Sequence, residues 1–456
     1  MKGYEKNARP LFHITADKGW INDPNGLVFF NGEYHVFYQH YPDDVHWGPM
    51  HWGHVASKDL KHWRRLPIAL KPSDGEHGCF SGSAIEWNGK LYLLYTSFFE
   101  NGGGENIRQV QSLASSTDGV RFEKHGVVIG EKDLPEGYSV CDFRDPKVFQ
   151  DGDIFRCFIA VKKLDGRGRV LHYASKDLVH WTFICDLFGE DCKGSMIECP
   201  DYLPEKRLLT TSEQFAVRDG NAHLNIHTCT WFLGDLDKNS GKFSVETQGV
   251  VDYGFDFYAP QTFAKDGVMI AWLQMWDRNI PSEPFGFAGM LTVPRRTEIK
   301  DGRLWQSPIV GGETAVARQV TENLLDNAAV GVLKIRAQDV KKFSLKLRQK
   351  GENYALLKLD GNEWTFDRSR AGAQITGAEQ DEKSVAGIRC MPFVGGKETE
   401  ITVVMDWFSI EIFIDGMAMS STVYPDADAD GIELCIDAAS CRYVRTEIDG
   451  SIAREE

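Results

Sequence analysis

The chain has 456 residues, more than one ordinary core of about 100–200 residues accommodates, so two or three domains are expected. Its 51 Lys and Arg stand against 66 Asp and Glu, a net charge of −15; an acidic chain does not gain affinity by displacing counterions from phosphate backbones, which excludes nucleic-acid binding as a general habit. Hydrophobic residues at 42% offset chain entropy and exclude disorder, and 44 glycines favour a turn-rich β protein over helical bundles.

Met1 to Pro10 is polar and has no apolar signal core, and no run of about 18 apolar residues follows anywhere, so no membrane association is expected. The ten cysteines form no CxxC pair. A soluble, cytoplasmic protein with reduced thiols is the expectation.

The chain then repeats itself. Ser57-Lys58-Asp59-Leu60-Lys61-His62-Trp63 recurs as Ser175-Lys176-Asp177-Leu178-Val179-His180-Trp181, with Ser116-Thr117-Asp118-Gly119-Val120-Arg121-Phe122 between them. The starts at 57, 116 and 175 give two intervals of 59 residues. A second pattern sets a turn before a mostly apolar strand, at Asn31-Gly32, Asn88-Gly89 and Asp151-Gly152, with weaker copies at Pro204-Glu205-Lys206 and Asp266-Gly267. Periods near 60 residues mean stacked units that cannot each bury a face alone. Strand-rich units with tight turns fit four-stranded propeller blades, and five of them fill residues 1–308.

After Pro308 the texture changes. Residues 309–331 read as a linker or short helix. Within 332–456, strands are expected at Lys342 to Leu347, Tyr354 to Leu359, Glu400 to Met405 and Ser409 to Ile414, with turns at Asp360-Gly361 and Asp415-Gly416. This is a second all-β domain, read as a sandwich.

Three acids stand out by context. Asp23 lies in Trp20-Ile21-Asn22-Asp23-Pro24-Asn25-Gly26, which by itself signals a turn. Asp145 follows Arg144, which could hold a nearby carboxylate ionised or make a surface salt bridge. Glu198, between Ile197 and Cys199, is either exposed at a strand end or buried as a general acid requires. They open or precede units one, three and four, and equivalent inner strands of a propeller converge on its channel. Acids gathered there repel one another, which raises the case for function. His51-x-x-His54 is too sparse for zinc, and no metal site is expected. Asn101-Gly102-Gly103-Gly104 lacks the Lys-Ser/Thr of a phosphate loop and reads as a flexible loop.

On these blocks the chain resembles glycoside hydrolase family 32, the invertases and β-fructofuranosidases. The resemblance rests on Trp20 to Gly26, Arg144 to Pro146 and Glu198-Cys199, in order. Smaller matches are Tyr38-Gln39, Trp47-Gly48-Pro49, Phe80 to Ser83, Asp256 to Gln261 and Pro294-Arg295. It implies an all-β fold, a five-bladed β-propeller followed by a β-sandwich. It implies Asp23 as nucleophile, Glu198 as general acid and then base, and Asp145 as stabiliser of the oxocarbenium-like transition state. Carboxyls about 5–5.5 Å apart would support retention of configuration through a covalent intermediate. Asn22 and Gln39 would hydrogen-bond fructose; Trp20, Trp47, Phe80 and Trp276 would line the pocket or its rim. Ser81 would contact a sugar hydroxyl, Arg144 would orient the acids, Tyr258 would meet Glu198 or the leaving side, and Cys199 would stand in the site as a free thiol. No cofactor is implied. The substrates would be sucrose, sucrose 6-phosphate or short fructo-oligosaccharides. Fructosyl transfer on the same intermediate and a non-catalytic fructoside-binding propeller are the competing readings. Two departures stand out. Ile197 replaces a Trp common in the family, which would alter the pocket wall. The block Asp406 to Phe413 displaces its Ser by one place and makes Glu411 a structural or surface acid.

Overall fold

The computed structural model describes residues 1–101, 104–220, 222–377 and 387–453. Gly102 and Gly103 of the glycine run lie outside them.

Five sheets form the N-terminal part, each with a four-stranded antiparallel meander at its heart. Their innermost strands are Gly19–Phe30, Gly78–Trp87, Tyr138–Asp151, Met196–Leu203 and Tyr258–Thr262. Each opens a meander, and the five stand as blades one to five of a propeller. The repeated motifs are its turns. Asn31-Gly32 and Asn88-Gly89 join first to second strands with positive φ at both residues, the geometry a tight two-residue hairpin needs. The 59-residue repeat is the turn between third and fourth strands. In each copy the Asp carboxylate accepts two backbone N–H groups, at 2.8–3.0 Å in blades one to three. Aromatic and aliphatic side chains then pack between blades, as Phe149, Phe158, Tyr202 and Phe232 do between blades three and four.

Blade one is widened at both edges. Blade five makes an excursion between Trp272 and Arg295, and Phe287–Ala288 of that excursion pairs parallel with Gly19-Trp20. The ring therefore closes beside the Trp20 to Gly26 block. At the other edge Ser451-Ile452 pairs parallel with His62-Trp63.

Two six-stranded sheets form the sandwich. The expected strands are present as Lys342–Lys350, Asn353–Asp360, Glu398–Asp406 and Ser409–Ile414. Leu345, Leu347, Trp364, Ile401, Ile412 and Leu434 fill the space between the sheets. The stretch 309–331, expected as linker or helix, is neither. Thr314–Gln319 pairs with Ser440–Thr446 in one sheet, and Asn323–Asn327 pairs with Gly431–Asp437 in the other. Both are edge strands with mostly exposed side chains, so apolar alternation, the signal that reveals a strand, is weak in them.

The two parts join along a seam. Gly254 sits so close to Ser420 that a Cβ would come within 2.1 Å of its backbone. Glu411 belongs here: it is buried, not on the surface.

Candidate active site

All five inner strands break register at the same level, and the breaks build the site. Two residues oppose one at Asn22-Asp23, at Asp145-Pro146, at Cys199-Pro200 and at Ala259-Pro260, and Ser81 is inserted in blade two. Such bulges re-aim side chains. Asp145, Cys199 and Ala259 adopt φ of 64°, 44° and 50°, a left-handed backbone that costs a non-glycine residue about 1–2 kcal/mol. Each precedes a proline. Proline cannot donate to a ladder, so it is tolerated on a strand facing an open channel and at a bulge.

The bulges bring the three acids to one cavity of about 500 Å³. Asn22, Gln39, Trp47, Phe80, Ser81 and Arg144 line it with them. A second lobe of about 300 Å³ shares Asn22, Asp23, Trp47 and Glu198 and adds Trp20, Gln214, Tyr258, Trp272 and Trp276.

The acids are held differently. The Ser81 hydroxyl donates to Asp23 Oδ2 at 2.6 Å, and the Cys199 thiol lies 3.5 Å from the same oxygen. Loss of surrounding water, with repulsion from Glu198, pushes the Asp23 carboxyl up, while the Ser81 hydroxyl works against that. Asp145 is 5% exposed and accepts the Cys199 backbone N–H at 2.9 Å. Burial moves its titration up to about 7; Arg144 opposes this, and Glu198 and Asp23 add to it. Glu198 Oε1 takes two N–H groups of Arg144, at 3.0 and 2.8 Å. Its Oε2 takes the Gln214 amide at 2.8 Å and the Tyr258 hydroxyl at 2.7 Å. Burial and Glu198 push the Tyr258 phenol well above its ordinary range, so it stays a donor.

The neighbours are oriented too. The Trp20 indole donates to Asn22 Oδ1 at 2.7 Å, which turns the Asn22 amide toward Asp23 as a donor. Gln39 donates to the Cys79 carbonyl at 3.0 Å, so its oxygen is the group left for a ligand. Phe80 stacks on Phe98 with centroids 4.5 Å apart. Trp47 and Trp276 stand at the rim, 56% and 38% exposed.

Two placements differ from expectation. Cys199 is not on the cavity wall; it lies behind Asp23 and Asp145, 2% exposed, and burial above all keeps its thiol protonated. Ile197 does not shape the wall, because side chains alternate along a strand: with Glu198 facing the channel, Ile197 is buried between blades. Ser81 lines the cavity and donates its hydroxyl to Asp23, which leaves its oxygen lone pairs to accept from a ligand.

Sequence reasoning missed Gln214, Trp272, Asp142 and Thr96. Asp142 lines the cavity and accepts Arg144 Nη1 at 3.2 Å; its i, i+2 spacing from Arg144 on one strand face was the available signal. Thr96 accepts the Asp145 N–H at 3.0 Å, and its second-strand position carries no such signal. Among the described residues no group of three His, Cys, Asp or Glu is arranged to hold a metal. His54 is buried against His35 at 2.9 Å, while His51 bonds the Pro49 carbonyl.

Comparison with known proteins adds independent findings. Residues 13–308 match the family model described as Glycosyl hydrolases family 32 N-terminal domain, and residues 306–449 match Glycosyl hydrolases family 32 C terminal. The chain is 37% identical to a sucrose-6-phosphate hydrolase of Escherichia coli, over 93% of this chain and 91% of that one. It is 34% identical to a raffinose invertase of Escherichia coli, again over 93% and 91%. Among solved structures, a GH32 β-fructofuranosidase of Bombyx mori in complex with sucrose superposes with a TM-score of 0.84 at 28% identity, over 99% of this chain and 96% of that one.

Proposed function

The chain belongs to glycosyl hydrolase family 32 and is a β-fructofuranosidase, and from that premise we propose how its residues divide the work. The observation that carries the proposal is the meeting of Asp23 and Glu198, from different blades, on one cavity with unlike hydrogen-bond partners. Asp23 attacks the anomeric carbon of a terminal β-D-fructofuranosyl unit. Glu198, protonated, gives its proton to the glycosidic oxygen as that bond breaks, and a fructosyl ester on Asp23 results. Glu198 then takes a proton from water. The hydroxide so formed attacks the same carbon and the ester bond breaks, which restores both acids.

Asp145 holds fructose hydroxyls and the positive charge that develops at the ring. Arg144, Gln214 and Tyr258 fix the Glu198 carboxyl so that its proton meets the leaving oxygen. Asn22 and Gln39 present the donor and acceptor described above. Sucrose, sucrose 6-phosphate and short fructo-oligosaccharides are the candidate substrates. The nine cysteines other than Cys390 stand as thiols outside any disulfide, which supports a cytoplasmic setting.

The test is stereochemical. Proton NMR of the first turnovers on sucrose is expected to show β-fructofuranose before mutarotation; α-fructofuranose appearing first would overturn the Asp23 ester.

A further inference from the structure

The mouth of the site holds more negative charge than the reaction uses. Asp142 is a fourth carboxylate on the wall of the first lobe, its side chain 33% exposed. Beyond Arg144, among the described residues, it accepts only the Ser139 hydroxyl, at 3.4 Å. Across both lobes the described lining residues carry four carboxyl groups, Asp23, Asp142, Asp145 and Glu198, against one cation, Arg144. With Glu198 protonated, as the reaction requires, the balance is 1 − 3 = −2, or −1 when Asp145 holds a proton. Three of the five Arg144 N–H groups are engaged: Nε and Nη2 serve Glu198, and Nη1 serves Asp142.

The rest of the second lobe is aromatic. Trp272 and Trp276 stack with their planes 9° apart and centroids 5.8 Å apart. Trp276 is backed by His227, whose ring lies 4.1 Å away. Burial holds the His227 titration down at about 4, so it is neutral near pH 7 and supplies no charge. Flat indole faces suit the C–H faces of an uncharged pyranose. A phosphate dianion in either lobe would meet carboxylates with no lysine among the described lining residues.

Resting on the β-fructofuranosidase reading, we propose that the leaving-group side of this site is built for a neutral sugar. Sucrose and its uncharged extensions are the substrates, and sucrose 6-phosphate is disfavoured by charge. The discrimination comes from a repulsive element facing the wrong partner, with the aromatic wall as the attractive one.

The experiment compares kcat/KM on sucrose and on sucrose 6-phosphate at about 20 mM and about 500 mM NaCl, since screening weakens repulsion. The expected preference for sucrose is at least about tenfold at low salt. It should narrow severalfold at high salt through a gain on the phosphate alone. Asp142→Asn, which keeps shape and removes one charge, is expected to move the ratio severalfold toward the phosphate at low salt. Equal or better turnover of sucrose 6-phosphate at low salt would overturn the inference alone, as would a ratio that neither salt nor D142N moves. Release of fructose from neither sugar would overturn the fructofuranosidase reading, and this inference with it.

Discussion

The molecule buries acids in two places, and handles them in opposite ways. At the seam, Asp252, Asp256, Asp406 and Glu411 are each matched by a cation. Arg295 bridges Asp252 at 2.9 Å and Glu411 at 2.6 Å; Arg278 meets Asp256 at 2.7 Å with Arg368 beside it. His13 donates to Asp406 and Glu411, both at 2.9 Å. Burial opposes ionisation of Asp256 and Glu411, yet the arginines more than offset it, and both carboxyls titrate below their usual range. In the channel, among the described residues, one arginine meets three of the four acids and leaves Asp23 without a cation, and Asp23 and Asp145 titrate above their usual range. Paired charge fixes how two domains sit, whereas unpaired charge is poised for chemistry and works against the fold.

The largest expected effect breaks the channel alone. Asp23→Asn removes the nucleophile and should lower kcat on sucrose by about 10⁴-fold or more. Its thermal midpoint should stay level or rise, since a mutually repelling carboxylate has gone. A midpoint that fell with kcat would make Asp23 a structural acid like those of the seam.

The seam should respond the other way. Arg295→Met leaves Asp252 buried without its cation and Glu411 with His13 alone, a loss of about 3–5 kcal/mol in chemical denaturation. Turnover of the molecules that remain folded should stay within about threefold of wild type. A loss of kcat as large as the loss of stability would mean that seam and channel are not separate.

Much of the channel was legible and almost none of the seam. Asp23, Asp145 and Glu198 sit in local blocks that recur at blade spacing, and a proline follows Asp23 directly and stands next in chain to Asp145. The Pro24, Pro146, Pro200 and Pro260 series marks four of the five bulges. Seam partners lie far apart in the chain: His13 meets Glu411 across 398 positions, and no local pattern couples them. The same reason hid Gln214 and Thr96, which reach the acids from second strands. The edge strands at 314–319 and 323–327 were hidden differently, by lacking a buried face.

His13 sharpens the seam further. Burial would lower its titration, but hydrogen bonds to Asp406 and Glu411 raise it from 6.5 to about 9. A histidine raised in the folded state contributes stability fully below about pH 6.5 and loses it as pH climbs through about 9. Wild type should therefore lose about 2–3 kcal/mol between pH 6.5 and pH 9.5, read by denaturation at constant ionic strength. His13→Gln should be less stable at pH 6.5 and nearly flat across that window. A flat wild-type profile would mean that His13 is uncharged and the seam is not held by ion pairs there.

The smallest effect has the most telling sign. Asp145 titrates at about 7 in the fold against an ordinary 3.8, so between about pH 4 and pH 7 the folded state binds the extra proton. Stability from this site is then lost as pH rises through that window, the reverse of a salt-bridged aspartate. Asp145→Asn keeps an oxygen for the Cys199 N–H and gives up the attraction of Arg144, which is 4.0 Å away and turned toward Glu198. It should match wild type near pH 4 and be more stable by about 2 kcal/mol at pH 8, although it removes a charge from the site. Denaturation at the two pH values decides it. A variant less stable than wild type at pH 8 would show that Arg144 fully compensates Asp145, and the channel would then be a seam like the other.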